Sequence, residues 1–208
     1  MLLDFSTMDR RMAYFWMAST IAPRPVAWVS SRSAAGMNNL APFSFFQMVT
    51  PRPPTLMICP QHNSDGSLKD TARNIQETGE FVVSLVSFAM VDQMNATSFS
   101  FDADSSEFDA VGVESAPSHI VAPPRVATAP ISFECRATSI TLYPPAHATC
   151  SIILGEALAA HADPAIIGPD GVIDPMRLDL VSRMGADWYG RTKSVDNFTL
   201  ARPTGWAR

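Results

Sequence analysis

The chain has 208 residues, 47% of them hydrophobic, enough for one domain with a sizeable buried core. Its net charge of -5 and its lack of any basic run argue against a nucleic-acid partner, because binding to a phosphate backbone depends on clustered Lys and Arg. No window approaches the roughly 18 apolar residues of a membrane span. Asp4, Asp9, Arg10 and Arg11 interrupt the first stretch where a signal peptide would be apolar, so a cytoplasmic protein without a membrane partner is expected.

The pattern Ser6-Thr7-Met8-Asp9 predicts a short helix over residues 8–17. Pro23 and Pro25 end it and push the chain into extended form. Residues 24–31 are β-rich and predict a strand entering the core. Ala34-Ala35-Gly36 reads as a hairpin turn, with a return strand over 37–44 bent at Pro42, since proline cannot donate to a central ladder. Pro51-Arg52-Pro53-Pro54 is a rigid connector to a short apolar strand at 55–59. A polar loop at 62–67 turns on Asp65-Gly66. Residues 69–78 predict a helix closed by Gly79.

A buried strand at 81–86 precedes a helix at 88–96 that turns Met90, Val91 and Met94 inward. Residues 97–130 are rich in Ser, Asp and Pro. They read as a long excursion with little core of its own and a helical turn at 106–110. Two longer strands follow at 132–143 and 149–160, the second carrying Gly155 where a bulge or bend is expected. A short helix at 174–181 and a last strand at 198–202 complete the reading. Strands outnumber helices and do not alternate with them. The expected fold is mostly β: an antiparallel closed or split β-barrel with a few peripheral helices, one domain over residues 1–208. Proline is abundant, at 17 residues, and apart from Pro25 and Pro42 the prolines fall outside the expected strands, as stiff loops around such a core require.

Two segments suggest a binding site. Lys69-Asp70-Thr71 stands at a helix N-terminus, where unpaired N–H groups and the positive dipole end favour a phosphate; equally, Asp70 or Thr71 is a simple helix cap beside a solvated Lys69. Asn39-Leu40-Ala41-Pro42-Phe43-Ser44-Phe45 combines a fixed backbone with small and aromatic side chains. It reads either as a wall for a flat ligand or as a buried strand kinked by proline. Ser30 and Ser31 can bond a ribityl or phosphate oxygen, or serve as turn residues.

The four histidines stand apart, with no metal-ligand spacing. Cys59, Cys135 and Cys150 form no CxxC pair and read as buried thiols in a reducing compartment. No GxSxG, GxGxxG or GxxxxGK[ST] motif is present, so no catalytic side chain and no metal site are assigned. Charged residues make up only 17%, against roughly 25% in typical domains. Burial of surface in a partner subunit explains that deficit, as does a surface rich in Ser, Thr and Asn.

Taken in order, these segments resemble the flavin reductase-like, FMN-binding split-barrel family, in its flavoredoxin-type branch. The resemblance runs through Pro23-Arg24-Pro25-Val26-Ala27-Trp28-Val29-Ser30-Ser31, Gly36, and Asn39 to Phe46. It continues in Pro53-Pro54, Lys69-Asp70-Thr71-Ala72-Arg73-Asn74-Ile75, Glu80-Phe81-Val82-Val83 and Ser106-Glu107-Phe108. It closes with Arg183-Met184-Gly185, Tyr189 and Phe198-Thr199-Leu200-Ala201-Arg202-Pro203. The order and spacing cover nearly the whole chain. Ser31 stands where the family usually has Thr, and Ala34-Ala35 where it usually has an acidic turn.

The resemblance implies a six-stranded antiparallel split barrel that forms a homodimer and holds FMN at or near the subunit interface. It implies that Ser30, Ser31 and the Asn39, Leu40, Ala41, Pro42, Phe43, Ser44 and Phe45 segment contact the ribityl chain and the ring, with Lys69, Asp70 and Thr71 at the phosphate. The implied activity is hydride transfer from NADH or NADPH to flavin N5. A small-molecule acceptor, a monooxygenase or an electron-transfer protein would then take the electrons. The alternative is an FMN electron carrier reduced by a partner protein.

Overall fold

The computed structural model of the chain describes residues 1–102 and 104–203. Helix α1 (Arg10–Thr20) is capped by Asp9, whose carboxylate accepts the Arg11 N–H at 2.9 Å. The Ser6 hydroxyl and N–H are spent in a local turn on Asp4, so the helix starts later than the Ser-Thr pattern suggests. The strand expected over 24–31 is two strands, β1 (Arg24–Pro25) and β2 (Ala27–Arg32). Val26 between them is where the chain leaves one sheet for another.

Strand β3 (Asn38–Phe43) returns antiparallel to β2, pairing Leu40 with Ser30 and Pro42 with Trp28. It is an edge strand. The Leu40 N–H points away from β2, to Glu107, so Pro42, two residues on, holds a position where no ladder donor is needed. The strand therefore continues through its proline without a break in register. Next come β4 (Phe46–Pro51) and β5 (Pro54–Ile58). Strand β4 is absent from the sequence expectation because Met48 and Val49 are both exposed, leaving no alternating apolar face to read.

Helix α2 (Asp70–Thr78) ends at Gly79 in the left-handed region, at φ 73°, as its cap requires. Strand β6 (Glu80–Leu85), a 3-10 turn at Phe88–Met90, and helices α3 (Val91–Ala96) and α4 (Glu107–Val111) follow. A small ribbon of β7 (Ser115–Ala116) and β8 (Arg125–Val126) leads to the long hairpin β9 (Ile131–Tyr143) and β10 (Cys150–Ala162). Register shifts at Leu154/Gly155, where a Cβ would overlap the Phe81 ring.

The helix expected over 174–181 shrinks to α5 (Pro175–Leu178), because Asp179 turns left-handed at φ 43°. Strands β11 (Val181–Gly185) and β12 (Trp188–Arg191) then pair with each other, and β11 pairs with β1. The last strand expected at 198–202 does not form. Phe198 and Leu200 are more than four-fifths exposed, so that segment has no buried face to hold it in a sheet.

The main sheet has seven antiparallel strands in the order β3-β2-β6-β9-β10-β5-β4. Its two edge strands, β3 and β4, are joined only by Ser44 and Phe45. Two opposite edges can be that close along the chain only if the sheet curls round on itself, which makes it a barrel split between β3 and β4. One strand exceeds the expected six.

Strand β2 shows how two cores arise. Ala27 and Val29 point into the barrel with Phe81, Val83, Cys135 and Ile153, all fully buried. Trp28 points outward, into a second cluster with Leu40, Met94, Phe108, Val113 and Val126. The excursion over 97–130 is therefore not core-poor: Phe108, Val113 and Val126 cover the outer face of the barrel. Its carboxylate anchor is Glu134 on β9, fully buried, which accepts N–H groups from His119, Ile120 and Val121 at 2.6, 2.5 and 3.0 Å.

A candidate flavin site between the edge strand and helix α2

The open edge at β3 faces the N-terminus of α2, and the two are tied by side chains. Asn39 Nδ2 donates to Thr71 Oγ1 at 2.9 Å, and Asn74 Nδ2 donates to Ser31 Oγ at 3.1 Å. Between them lies a cleft of about 200 Å³ lined by Asn39, Ala41, Pro42, Phe43, Lys69, Asp70 and Thr71. Lys69 occupies the N-cap position, and its ammonium, having no acceptor, makes no capping bond to the helix. Asp70 is paired with the Arg73 guanidinium one turn on. The cation of Lys69 and the hydroxyl of Thr71 thus share a helix N-terminus, a place that favours an anion.

Glu107 of α4 forms part of the same cleft and is 7% exposed. Its Oε2 accepts the Leu40 N–H at 2.7 Å. Burial pushes its pKa up, the Leu40 hydrogen bond pulls it back, and the nearby Asp70 charge adds to the rise. The buried Oδ1 atoms of Asn38 and Asn74 have no partner among the described residues, and both residues line a narrow polar recess beside the cleft. Acceptors of that kind suit ligand hydroxyl groups.

Seven of the twelve residues expected at the site therefore share one cleft. Ser44 lies just beyond, in a second lobe that shares Pro42, Phe43 and Ser98 with the first. Phe45 faces a separate apolar groove with Tyr14, Met17 and Ile21. Leu40 is fully buried in the outer core, and only its N–H reaches toward the site. Ser30 and Ser31 are buried: Ser30 donates to the Pro124 carbonyl, and Ser31 accepts from Asn74. Their hydroxyls brace the walls and do not line the cleft.

Sequence reasoning missed Asn63, Glu107 and the Thr97-Ser98-Phe99-Ser100-Phe101 segment, all of which line the cleft. The available signal was a pair of aromatics one residue apart in an otherwise polar stretch. Phe99 and Phe101 pack edge to face, with centroids 5.3 Å apart, and Phe99 remains 72% exposed. Trp28 fixes the start of this segment, its indole N–H donating to Thr97 Oγ1 at 2.8 Å.

Burial pushes the Cys59 and Cys135 thiols up to about 12, and all three cysteines are free. No three His, Cys, Asp or Glu side chains among the described residues are grouped to hold a metal ion. No helix among the described residues is long and apolar enough to cross a membrane.

Comparison with known proteins gives the geometry its context. An uncharacterized protein of Deinococcus radiodurans is 36% identical, with 97% of this chain and 89% of that protein covered. Among solved structures, component B of the nitrilotriacetate monooxygenase of Bacillus cereus superposes with a TM-score of 0.89 at 27% identity, covering 96% of this chain and 99% of that one. The 2-nitrobenzoate 2-nitroreductase of Pseudomonas fluorescens gives 0.84 at 29% identity, covering 100% and 99%. The family model described as "Flavin reductase like domain" matches residues 17–171, and the chain belongs to that family.

Proposed function

We propose that the chain is a single FMN-binding unit acting as an NAD(P)H-dependent flavin or small-acceptor oxidoreductase. The observation that carries this reading is the meeting, in one cleft, of a wall at Ala41, Pro42 and Phe43 with an anion-type donor set at Lys69 and Thr71. A flat apolar system ending in a phosphate matches both ends of that cleft. The orphaned acceptors of Asn38 and Asn74 suit ribityl hydroxyls. Relatives named as a monooxygenase component and a nitroreductase support oxidoreductase chemistry in general.

Bound FMN would supply the two-electron chemistry, accepting a hydride at N5 from NADH or NADPH and passing electrons to an acceptor. The chain's own residues bind and orient. Lys69 and Thr71 hold the phosphate, Asn39 sets the Thr71 rotamer, and Phe99 with Phe101 offers aromatic surface that limits water. No side chain is asked to move a proton in the hydride step, in keeping with the Cys59 and Cys135 thiols, which burial pushes up to about 12.

We further propose that two copies associate through α1. Tyr14, Phe15, Met17 and Ile21 on this helix are each about half exposed, and an apolar groove of about 330 Å³ runs beside them to Phe45. That groove borders the corner between β3 and β4, so the second copy would sit next to the flavin cleft. Light scattering that gives a monomer mass would refute the association.

The deciding experiment for function is a visible spectrum of the purified protein, followed by anaerobic addition of NADH or NADPH. Flavin absorbance that bleaches supports the reading. Protein that neither binds FMN nor shows FMN-stimulated NAD(P)H oxidation overturns it. Firmly bound FMN with negligible nicotinamide turnover selects instead an electron carrier reduced by a partner protein.

A further inference from the structure

The cleft does not end at Phe43. Past Pro42, Phe43 and Ser98 it opens into a second lobe of about 340 Å³, whose polar lining includes Ser44, Asn95, Arg183 and Tyr189. Arg183 is the one cation among its described lining residues, and Asp187 the one anion. Arg183 lies on β11 directly opposite Tyr189 on β12. Its Nη1 donates to the Tyr189 hydroxyl at 2.6 Å, and its guanidinium carbon stands 4.7 Å from the centroid of the same ring.

Two contacts to a neutral residue fix the guanidinium without neutralising it. The Asp187 carboxylate comes no nearer than 3.9 Å and is fully exposed, so water screens it. The lobe's rim is fixed as well. Gly185 adopts φ 104° and a Cβ there would lie 2.7 Å from Ser19 Cα, so α1 packs directly on β11, with Tyr14 among the residues at the lobe. A charged, pre-oriented guanidinium in a polar lobe is built to receive a carboxylate or a phosphate.

We propose that this lobe seats the small molecule that exchanges electrons with the bound flavin, and that Arg183 binds an anionic group, carboxylate or phosphate, on that molecule. A planar ring resting on Pro42 and Phe43 borders both lobes. A redox partner in contact with that ring and outside the phosphate end enters here. The inference rests on the FMN reading above and adds to it a specificity-determining residue.

The test uses FMN-loaded protein in wild-type, R183Q, R183K and D187N forms. FMN affinity is measured by flavin fluorescence. Benzoate and inorganic pyrophosphate are titrated as probes through perturbation of the flavin spectrum, and KM is measured for NADH and NADPH. R183Q is expected to leave the FMN Kd within about twofold and to weaken at least one probe by about tenfold or more, with R183K recovering part of the loss. D187N, which removes the one anion among the lobe's described lining residues, is expected to leave the probe Kd within about twofold of wild type, because water already screens that exposed carboxylate; a probe Kd that D187N changes as much as R183Q does would overturn the proposal. A benzoate effect alone identifies a carboxylate-bearing acceptor; a pyrophosphate effect with a raised KM identifies the phosphates of the nicotinamide donor. Probes bound equally by wild type and R183Q, probes that wild type does not bind, or an FMN Kd that rises in step with the probe Kd would each overturn the proposal while leaving the cofactor reading intact. Wild-type protein that binds no FMN overturns both.

Discussion

The Asn39 amide donates to the Thr71 hydroxyl at 2.9 Å, with both residues buried, and this bond joins the edge of the barrel to the start of α2. A hydroxyl that accepts from Asn39 keeps its own proton to donate, so the bond presets Thr71 as a donor toward the cleft. Thr71→Val keeps the shape and removes both roles. A buried hydrogen bond to a charged group and its support are worth about 1–3 kcal/mol. The FMN Kd is therefore expected to rise roughly 5- to 150-fold, read by fluorescence quenching, while a variant with unchanged affinity would remove Thr71 from the phosphate site.

Much of this arrangement is legible in the sequence, and the parts that are not share a cause. Helix α2 declares itself locally through Gly79 and the acidic first turn at Asp70, and β2 through Trp28 and Val29 after the prolines at 23 and 25. Strand β4 hides because its apolar side chains face outward. The roles of Ser30 and Ser31 hide because a hydroxyl's partner is set by tertiary contact: the Pro124 carbonyl and the Asn74 amide lie 94 and 43 residues away along the chain. Glu107 hides for the same reason, since nothing local tells that its carboxylate will cap the free N–H of an edge strand 67 residues earlier.

Lys69 acts by charge and not by shape. Lys69→Ala removes a cation at an N-cap that carries no side-chain cap, so helix stability should scarcely change. The FMN Kd is expected to rise about tenfold or more, in line with a charge-assisted hydrogen bond. The variant should also lose part of the wild type's salt dependence of FMN binding, because one screened charge pair is gone. Equal salt slopes for the two proteins would place the phosphate elsewhere.

Glu134 gives the fold an acid limit. Burial raises its pKa, but the N–H groups of His119, Ile120 and Val121, together with His161 Nε2 at 2.5 Å, outweigh that and hold it at about 2, below the ordinary 4.5. A carboxylate with a depressed folded-state pKa stabilises fully above its unfolded value and loses that contribution as pH falls through the folded one. The melting temperature should therefore drop between pH ~4.5 and ~2. Glu134→Gln should melt lower at neutral pH and show a shallower drop over that window, because its amide meets N–H donors where an oxygen is required. A variant whose melting profile runs parallel to wild type would show that another group carries the acid transition.

Gly155 tests the barrel interior. It sits at the register shift of β10, where a Cβ would fall 2.6 Å from Phe81 Cε1 and closer still to Cζ, and Phe81 is fully buried. Neither ring nor strand can yield without disturbing the core, so Gly155→Ala should destabilise by about 1–3 kcal/mol, the usual cost of overpacking. The clash has one named partner, which makes it separable from any loss of backbone freedom. Adding Phe81→Leu makes room for the new methyl group, so in denaturant titrations the double variant should lose less than the sum of the two single variants. Strict additivity would show that the glycine is needed for the backbone of the bulge and not for the ring beside it.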